Sequence, residues 1–180
     1  MGRSSRLLVM FAAILMGSSL LARAQQTQSN RWRDFEFLFG EWSWSGGGQP
    51  GQVTSGTCTF KPDLNGTVLR RSVHLEYPAS KQRAAFAHDD LLYIYRDSAD
   101  GALRAIFFDN EDHVIRYTVT VASDSIQFLS DAAPSGTRAR MTYTRIGPDS
   151  VSERFELAPP TKPNQFTTYV EFTAKRTGNE

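Results

Sequence analysis

From Gly40 onward, turn-forming residues break this chain about every ten residues, and that spacing constrains the fold more than any other feature. Between the breaks Val, Thr, Tyr and Phe dominate. Asn65-Gly66 supplies the positive φ angles of a tight hairpin. Asp100-Gly101 and Gly147-Pro148-Asp149 are turn formers too. Pro159-Pro160 and Pro163 exclude a central strand and mark a longer connection. The segments left between turns predict strands at Glu41–Ser45, Val53–Lys61, Thr67–Tyr77, Leu91–Arg96, Ala102–Phe108, Val114–Ala122, Ser125–Leu129, Arg138–Ile146, Val151–Leu157 and Phe166–Arg176. Short strands joined in series mainly by hairpins leave two exposed edges unless the sheet closes on itself. The expected fold is therefore all-β: an antiparallel up-and-down barrel of about ten strands. A two-sheet sandwich is the alternative.

Before Gly40 the period differs. Trp32, Phe35, Leu38 and Phe39 fall at helical spacing, which predicts one short N-terminal helix over Arg31–Phe39, ended at Gly40. Earlier still, Arg3 and Arg6 precede a mostly apolar run, Leu7 to Leu21. Ala22-Arg23-Ala24 then has the small-x-small form of a signal-peptidase site. Residues 1–24 read as a signal peptide and 25–180 as one barrel domain, exported to the periplasm or beyond the cell. An uncleaved anchor is the alternative reading of the apolar run. Gln25 stands where a lipid-anchored form requires cysteine.

Removing residues 1–24 takes away Arg3, Arg6 and Arg23, so the net charge falls from +1 to −2. A nucleic-acid partner, which wants a basic face, is not expected. Cys58 is the only cysteine, so no intramolecular disulfide forms.

Gly40-Glu41-Trp42, a Gly-x-Trp placed directly after the short helix and opening the first strand, resembles the first motif of the calycin group. That group includes lipocalins, fatty-acid-binding proteins and nitrobindins. Phe107-Phe108-Asp109-Asn110 and the ending Phe172-Thr173-Ala174-Lys175-Arg176 resemble an uncharacterised family of exported bacterial calycin-like barrels. The resemblance implies that Trp42 closes the barrel floor and that Arg176, or else Lys175, packs across its ring. Nitrobindins bind haem through a histidine in the C-terminal part of the barrel. This chain has His74, His88 and His113 and none later, and Gly46-Gly47-Gly48-Gln49-Pro50 only loosely echoes their glycine-rich continuation. Haem binding is thus the lesser expectation.

Strand alternation selects the site candidates. On one face of Thr67–Tyr77 lie Leu69, Arg71, Val73, Leu75 and Tyr77. The apolar face of Val151–Leu157 carries Val151, Glu153, Phe155 and Leu157. A charge among inward residues is paired, hydrated or functional. Arg71 is expected either to neutralise Glu153 inside the barrel or to meet a ligand carboxylate. The bland alternative is a purely structural pair. Tyr77, Tyr93, Tyr117 and Tyr143, with Trp44 one layer above Trp42, are the expected wall of a ligand cavity; the alternative is ordinary barrel core with the tyrosine hydroxyls at the rim. Asp109-Asn110-Glu111-Asp112-His113 reads as a solvated hairpin turn, because it lacks the spacing and glycine of a calcium loop. No metal and no cofactor are expected. The functional expectation is a non-catalytic barrel binding a small apolar or amphipathic molecule. The alternative is an enzyme on the same scaffold, an isomerase or hydrolase.

Overall fold

The computed structural model describes residues 31–46, 54–81, 83–131 and 136–178. Residues 1–24, read above as a signal peptide, Val53 and the Gly47–Pro50 stretch lie outside them. From Asp34 onward the described chain is one compact unit.

The ten strands are β1 (Gly40–Gly46), β2 (Thr54–Asp63), β3 (Val68–Tyr77), β4 (Phe86–Arg96), β5 (Leu103–Asp109), β6 (Val114–Val121), β7 (Ser125–Ser130), β8 (Arg138–Gly147), β9 (Ser150–Ala158) and β10 (Thr167–Gly178). Each pairs antiparallel with its sequence neighbours, and β1 pairs with β10, so the sheet closes into a barrel. Closure leaves no edge strand. The sandwich alternative is excluded by the β1–β10 ladder, which runs from Glu41↔Gly178 to Gly46↔Phe172.

The helix is shorter and tighter than helical spacing suggested. It is a single 3-10 helix, Arg33–Leu38. Its last carbonyls are taken by side chains of the barrel: Trp42 Nε1 donates to Leu38 O at 2.7 Å, and Arg176 donates to Phe37 O and Phe39 O. These partners satisfy groups that a further helical turn would otherwise bond. Gly40 then turns the chain into β1 with φ +103°, a conformation that strains residues bearing a Cβ.

The expected Asn65-Gly66 hairpin is present but wider than two residues. Asp63 pairs with Val68, and Leu64, Asn65 and Gly66 all take positive φ. The larger correction is β4. It starts at Phe86, five residues before the expected Leu91. Ala87-His88-Asp89-Asp90 has low strand propensity, yet pairing with Glu76-Leu75-His74-Val73 overrides it.

The 3-10 helix and the turn after β8 define the lower end of the barrel. The connections after β5 and β9 lie at the upper end. Low and middle inward residues are almost fully enclosed: Trp42, Phe60, Leu69, Leu92, Ile94, Tyr117, Phe128 and Tyr143 are each at most 1% exposed. Toward the upper end the inward residues Tyr77, Phe86, Phe107, Ile115, Phe155 and Val170 are only partly covered. Among the described residues the barrel is thus tightly packed below and less covered above.

Candidate functional site

Three strands deliver charge to the same buried point. Arg71 follows Leu69 and precedes Val73 on the inward face of β3, and is 2% exposed. Asp90 occupies the inward face of β4, in phase with Leu92 and Ile94, and is 6% exposed. Glu153 on β9 is 7% exposed and stands opposite Tyr143 in the β8–β9 register. Arg71 Nη2 meets both Asp90 carboxylate oxygens at 2.5 Å. Its Nη1 donates to Tyr143 Oη and reaches Glu153 Oε1 at 3.4 Å and Met141 Sδ at 3.1 Å. Arg71 Nε is buried and has no hydrogen-bond partner among the described residues.

The expected pairing of Arg71 with Glu153 is present, but the closer partner is Asp90, which the sequence reading missed. The signal was there: running the alternation of Ile94 and Leu92 backward by two reaches Asp90, and by four His88. It is lost because the expected strand, Leu91–Arg96, begins only at Leu91.

One guanidinium facing two carboxylates decides the protonation. Burial opposes charge on Arg71, but Asp90, Tyr143 and Glu153 together outweigh it and hold the guanidinium protonated more firmly than usual. Burial raises the Glu153 carboxyl; Arg71 pulls it down, Asp90 pushes it up, and the result is a pKa raised to about 7. Arg71 with Asp90 is therefore the closer ion pair, and Glu153 keeps its proton up to about neutral pH. Two ionised carboxylates on one buried cation would leave an unpaired charge in a low-dielectric interior. Tyr143 and Cys58, both enclosed, are also pushed toward their neutral forms by burial.

The other aromatic candidates divide. Trp44, 2% exposed, stands above Trp42 on the same face and meets Tyr143 and Phe172 edge-on, with centroids 6.2 and 5.2 Å away. Tyr117 is enclosed against Phe128. Tyr77 is half-buried at the upper rim, stacked on Phe86 at 4.6 Å. Tyr93 is a correction: it alternates with the inward Leu92 and Ile94, pairs with Arg70 and Ile106, and lies on the outer face. It cannot line the interior. Strand phase, not residue type, decides this.

Above the buried charges sits His88, on the inward face of β4. Its Nε2 lies 3.7 Å from Asp90 Oδ2 and its Nδ1 3.6 Å from Glu111 Oε2. The Asp90 carboxylate, more than burial opposes it, raises the pKa of His88. The Asp109–His113 segment is the expected hairpin turn, and Asp109 organises it. Burial would raise the Asp109 carboxyl, but the His113 and Glu111 amides and the His113 ring bond to it and hold it below the usual carboxylate range.

A groove of about 460 Å³ lies elsewhere, across the outer face of β2–β5, where Thr57, Ser72, His74, Asp89, Leu91 and Phe108 surround it. His74 Nδ1 and Asp89 Oδ1 are 2.7 Å apart there. The groove is open to solvent, and Asp90 and Asp109 also contribute to its lining.

No family model matches the chain, and no curated protein matches it. Eleven solved chains match. The structure of EF1p2_mFAP2b bound to DFHBI is 12% identical, with 81% of this chain and 98% of that chain covered and a TM-score of 0.41. A de novo designed fluorescence-activating β-barrel is 14% identical, with 79% and 95% covered and a TM-score of 0.42. A protein of unknown function from the DUF3598 family of Nostoc punctiforme is 10% identical, with 81% and 98% covered and a TM-score of 0.30. Identities this low carry nothing about ligand or reaction, which must be read from the chain's own residues.

Proposed function

We propose that this protein is an exported, calycin-like barrel that binds a small amphipathic molecule through its upper end. The carrying observation is the contrast along the inner face. Enclosed residues fill the lower barrel, whereas Tyr77, Phe86, Phe107, Phe155 and Val170 remain partly uncovered above a floor of buried polar groups. A concave apolar wall with a few convergent polar groups is the usual form of a small-molecule site. The calycin reading is supported by Gly40-x-Trp42 and by Arg176, whose guanidinium carbon lies 4.2 Å over the Trp42 ring. Export is supported by the signal-like residues 1–24.

The floor also sets the kind of polar group it would take. Arg71 is already engaged by Asp90, and Glu153, His88 and Glu111 lie around or above it. A ligand carboxylate would meet Asp90 and Glu153 as well as Arg71. The arrangement therefore favours a neutral or cationic head group over an anionic one, and the expectation of an Arg71–carboxylate contact is set aside.

Fluorescent alkyl probes of equal chain length bearing an amine, a hydroxyl or a carboxylate test this. The amine and hydroxyl probes are expected to bind with one site per chain and more tightly than the carboxylate. Replacing Tyr77 and Phe155 by Ser should abolish that binding. Saturable binding of none of the probes, together with ligand-free protein by native mass spectrometry after purification from its own host, would refute the proposal.

A second reading has one observation of its own. A carboxyl that titrates near 7 inside a barrel can exchange protons with a substrate at neutral pH. An isomerase or hydrolase using Glu153 would convert the bound molecule. Glu153→Gln would then keep binding and lose conversion, whereas a binding protein returns its ligand unchanged in both forms.

A further inference from the structure

The upper rim brings three metal-ligating side chains together from separate elements: His88 on β4, Asp109 at the end of β5 and Glu111 in the turn that follows. One ligand atom from each lies within 4.8 Å of the others. We infer that His88, Asp109 and Glu111 form a binding site for a first-row divalent cation of the zinc class, at the upper end of the barrel.

The geometry carries this in three respects. Zinc takes nitrogen at about 2.0–2.1 Å and carboxylate oxygen at about 2.0–2.2 Å, so ligand atoms of a tetrahedral site stand roughly 3.4 Å apart. His88 Nδ1 and Glu111 Oε2 are already 3.6 Å apart. All three ligand atoms lie within 4.8 Å of one another, and Glu111 is the most exposed of the three.

The histidine is also oriented in the manner of a metal ligand. Its two ring nitrogens face different carboxylates: Nε2 turns to the buried Asp90, Nδ1 to Glu111. A ligating imidazole ordinarily directs its second nitrogen to a carboxylate or carbonyl, which fixes the ring and raises its basicity. Asp90, itself anchored by two contacts to Arg71, supplies that partner.

Asp109 is held in the same way. The amides of Glu111 and His113 bond to Oδ1 at 3.0 and 2.9 Å, and the His113 ring to Oδ2 at 2.8 Å. Each carboxylate oxygen has two lone pairs, so Oδ2 retains one for a cation. Competing groups are present as well: Arg83 reaches Glu111 Oε1 at 3.4 Å. Glu111 Oε2, the oxygen that faces His88, is the one a metal would use.

Nitrogen with two carboxylates suits zinc, manganese or iron(II) better than calcium, which wants six or more oxygens. Three protein ligands leave one position open toward the mouth, where a ligand hydroxyl or carbonyl would complete the sphere. The sequence expectation of no metal rested on the missing calcium-loop spacing of Asp109–His113 and on the isolation of His74 and His88 in sequence, since spacing cannot show which ligands converge. It could not join His88, which lies on another strand, to that turn.

The test is titration of chelator-treated full mature chain with Zn²⁺ by calorimetry, and with Co²⁺ by visible absorption. One Zn²⁺ per chain and tetrahedral-type cobalt bands are expected in wild type. His88→Ala and Glu111→Gln should each weaken Zn²⁺ at least about tenfold. His74→Ala, whose partner Asp89 is on the outer face, should bind as wild type does. No saturable Zn²⁺ binding by wild type below about 1 mM would overturn the inference. So would His88→Ala and Glu111→Gln binding within twofold of wild type, or a loss in His74→Ala as large as in His88→Ala. Circular dichroism checks that the variants are folded. Glu111 is exposed, so Glu111→Gln carries the test even where His88→Ala unfolds. The readout uses no organic ligand, so it stands or fails independently of amphiphile binding.

Discussion

Two arginines on inward faces of this barrel meet opposite surroundings. At the lower end Arg176 lies over the Trp42 ring, donates to two backbone carbonyls and touches Asp149, which is largely in solvent. Every one of these partners is either neutral or hydrated. In the middle Arg71 is enclosed and faces two carboxylates and a phenol. The first arrangement fastens a helix and a strand at the lower end. The second holds one more acid than its cation can neutralise, with a proton making up the difference. Structural closure needs satisfied donors; a site that responds to protons or ligands needs groups held near a balance point.

The comparison breaks most readily at Trp42. Its ring is enclosed, its N–H is bonded to Leu38 O, and Arg176 covers one face. Trp42→Ala should cost about 3–5 kcal/mol in denaturant unfolding. A loss below about 1 kcal/mol would mean that the lower end is not the structural anchor.

Next is Asp90. Asp90→Asn leaves Arg71 with Glu153 as its one buried counterion among the described residues and removes the charge that pushes the Glu153 carboxyl up, and should destabilise by about 3 kcal/mol at pH low enough to keep Glu153 protonated in the variant. At higher pH Glu153 should ionise and replace part of the loss. A variant as stable as wild type across this range would show that Asp90 is not the partner that matters.

The pH dependence of wild type sharpens the contrast further. Unfolded, Glu153 ionises near its ordinary 4.5; folded, it keeps its proton to about 7. Between those values the native state binds more protons, so stability should fall as pH rises through this window, by roughly 3 kcal/mol at most. His74 and His88 act in the same direction. Their raised pKa values give stability that is complete below 6.5 and lost as pH rises through the folded values. Thermal melts from pH 5 to 8 should decline, and Glu153→Gln should flatten the part below 7. An unchanged slope in Glu153→Gln would remove Glu153 from the account.

The smallest effect belongs to the rim. Tyr77 is half-buried, and its ring stacks on Phe86. Tyr77→Ala should cost about 1–2 kcal/mol, well under the Trp42 change. A loss equal to that of Trp42→Ala would make the upper end as structural as the lower.

Much of the fold was legible in local sequence. Turn residues at regular spacing gave the number of strands, and two-residue alternation put Arg71 and Glu153 on inward faces. The Gly40-x-Trp42 resemblance implied the floor, and Arg176 rather than Lys175 proved to be its cover. What failed was local too. The polar start of β4 hid Asp90 and His88, and residue type without phase placed Tyr93 inside.

The sequence by itself determined which residues alternate and therefore which share a face, because side-chain period along a strand is fixed by the backbone. Only the tertiary structure decided which faces meet. Arg71 on β3, Asp90 on β4, Tyr143 on β8 and Glu153 on β9 converge because β1 pairs with β10 and the sheet closes. Closure and strand stagger set distances across the interior, and those depend on the register of all ten strands at once.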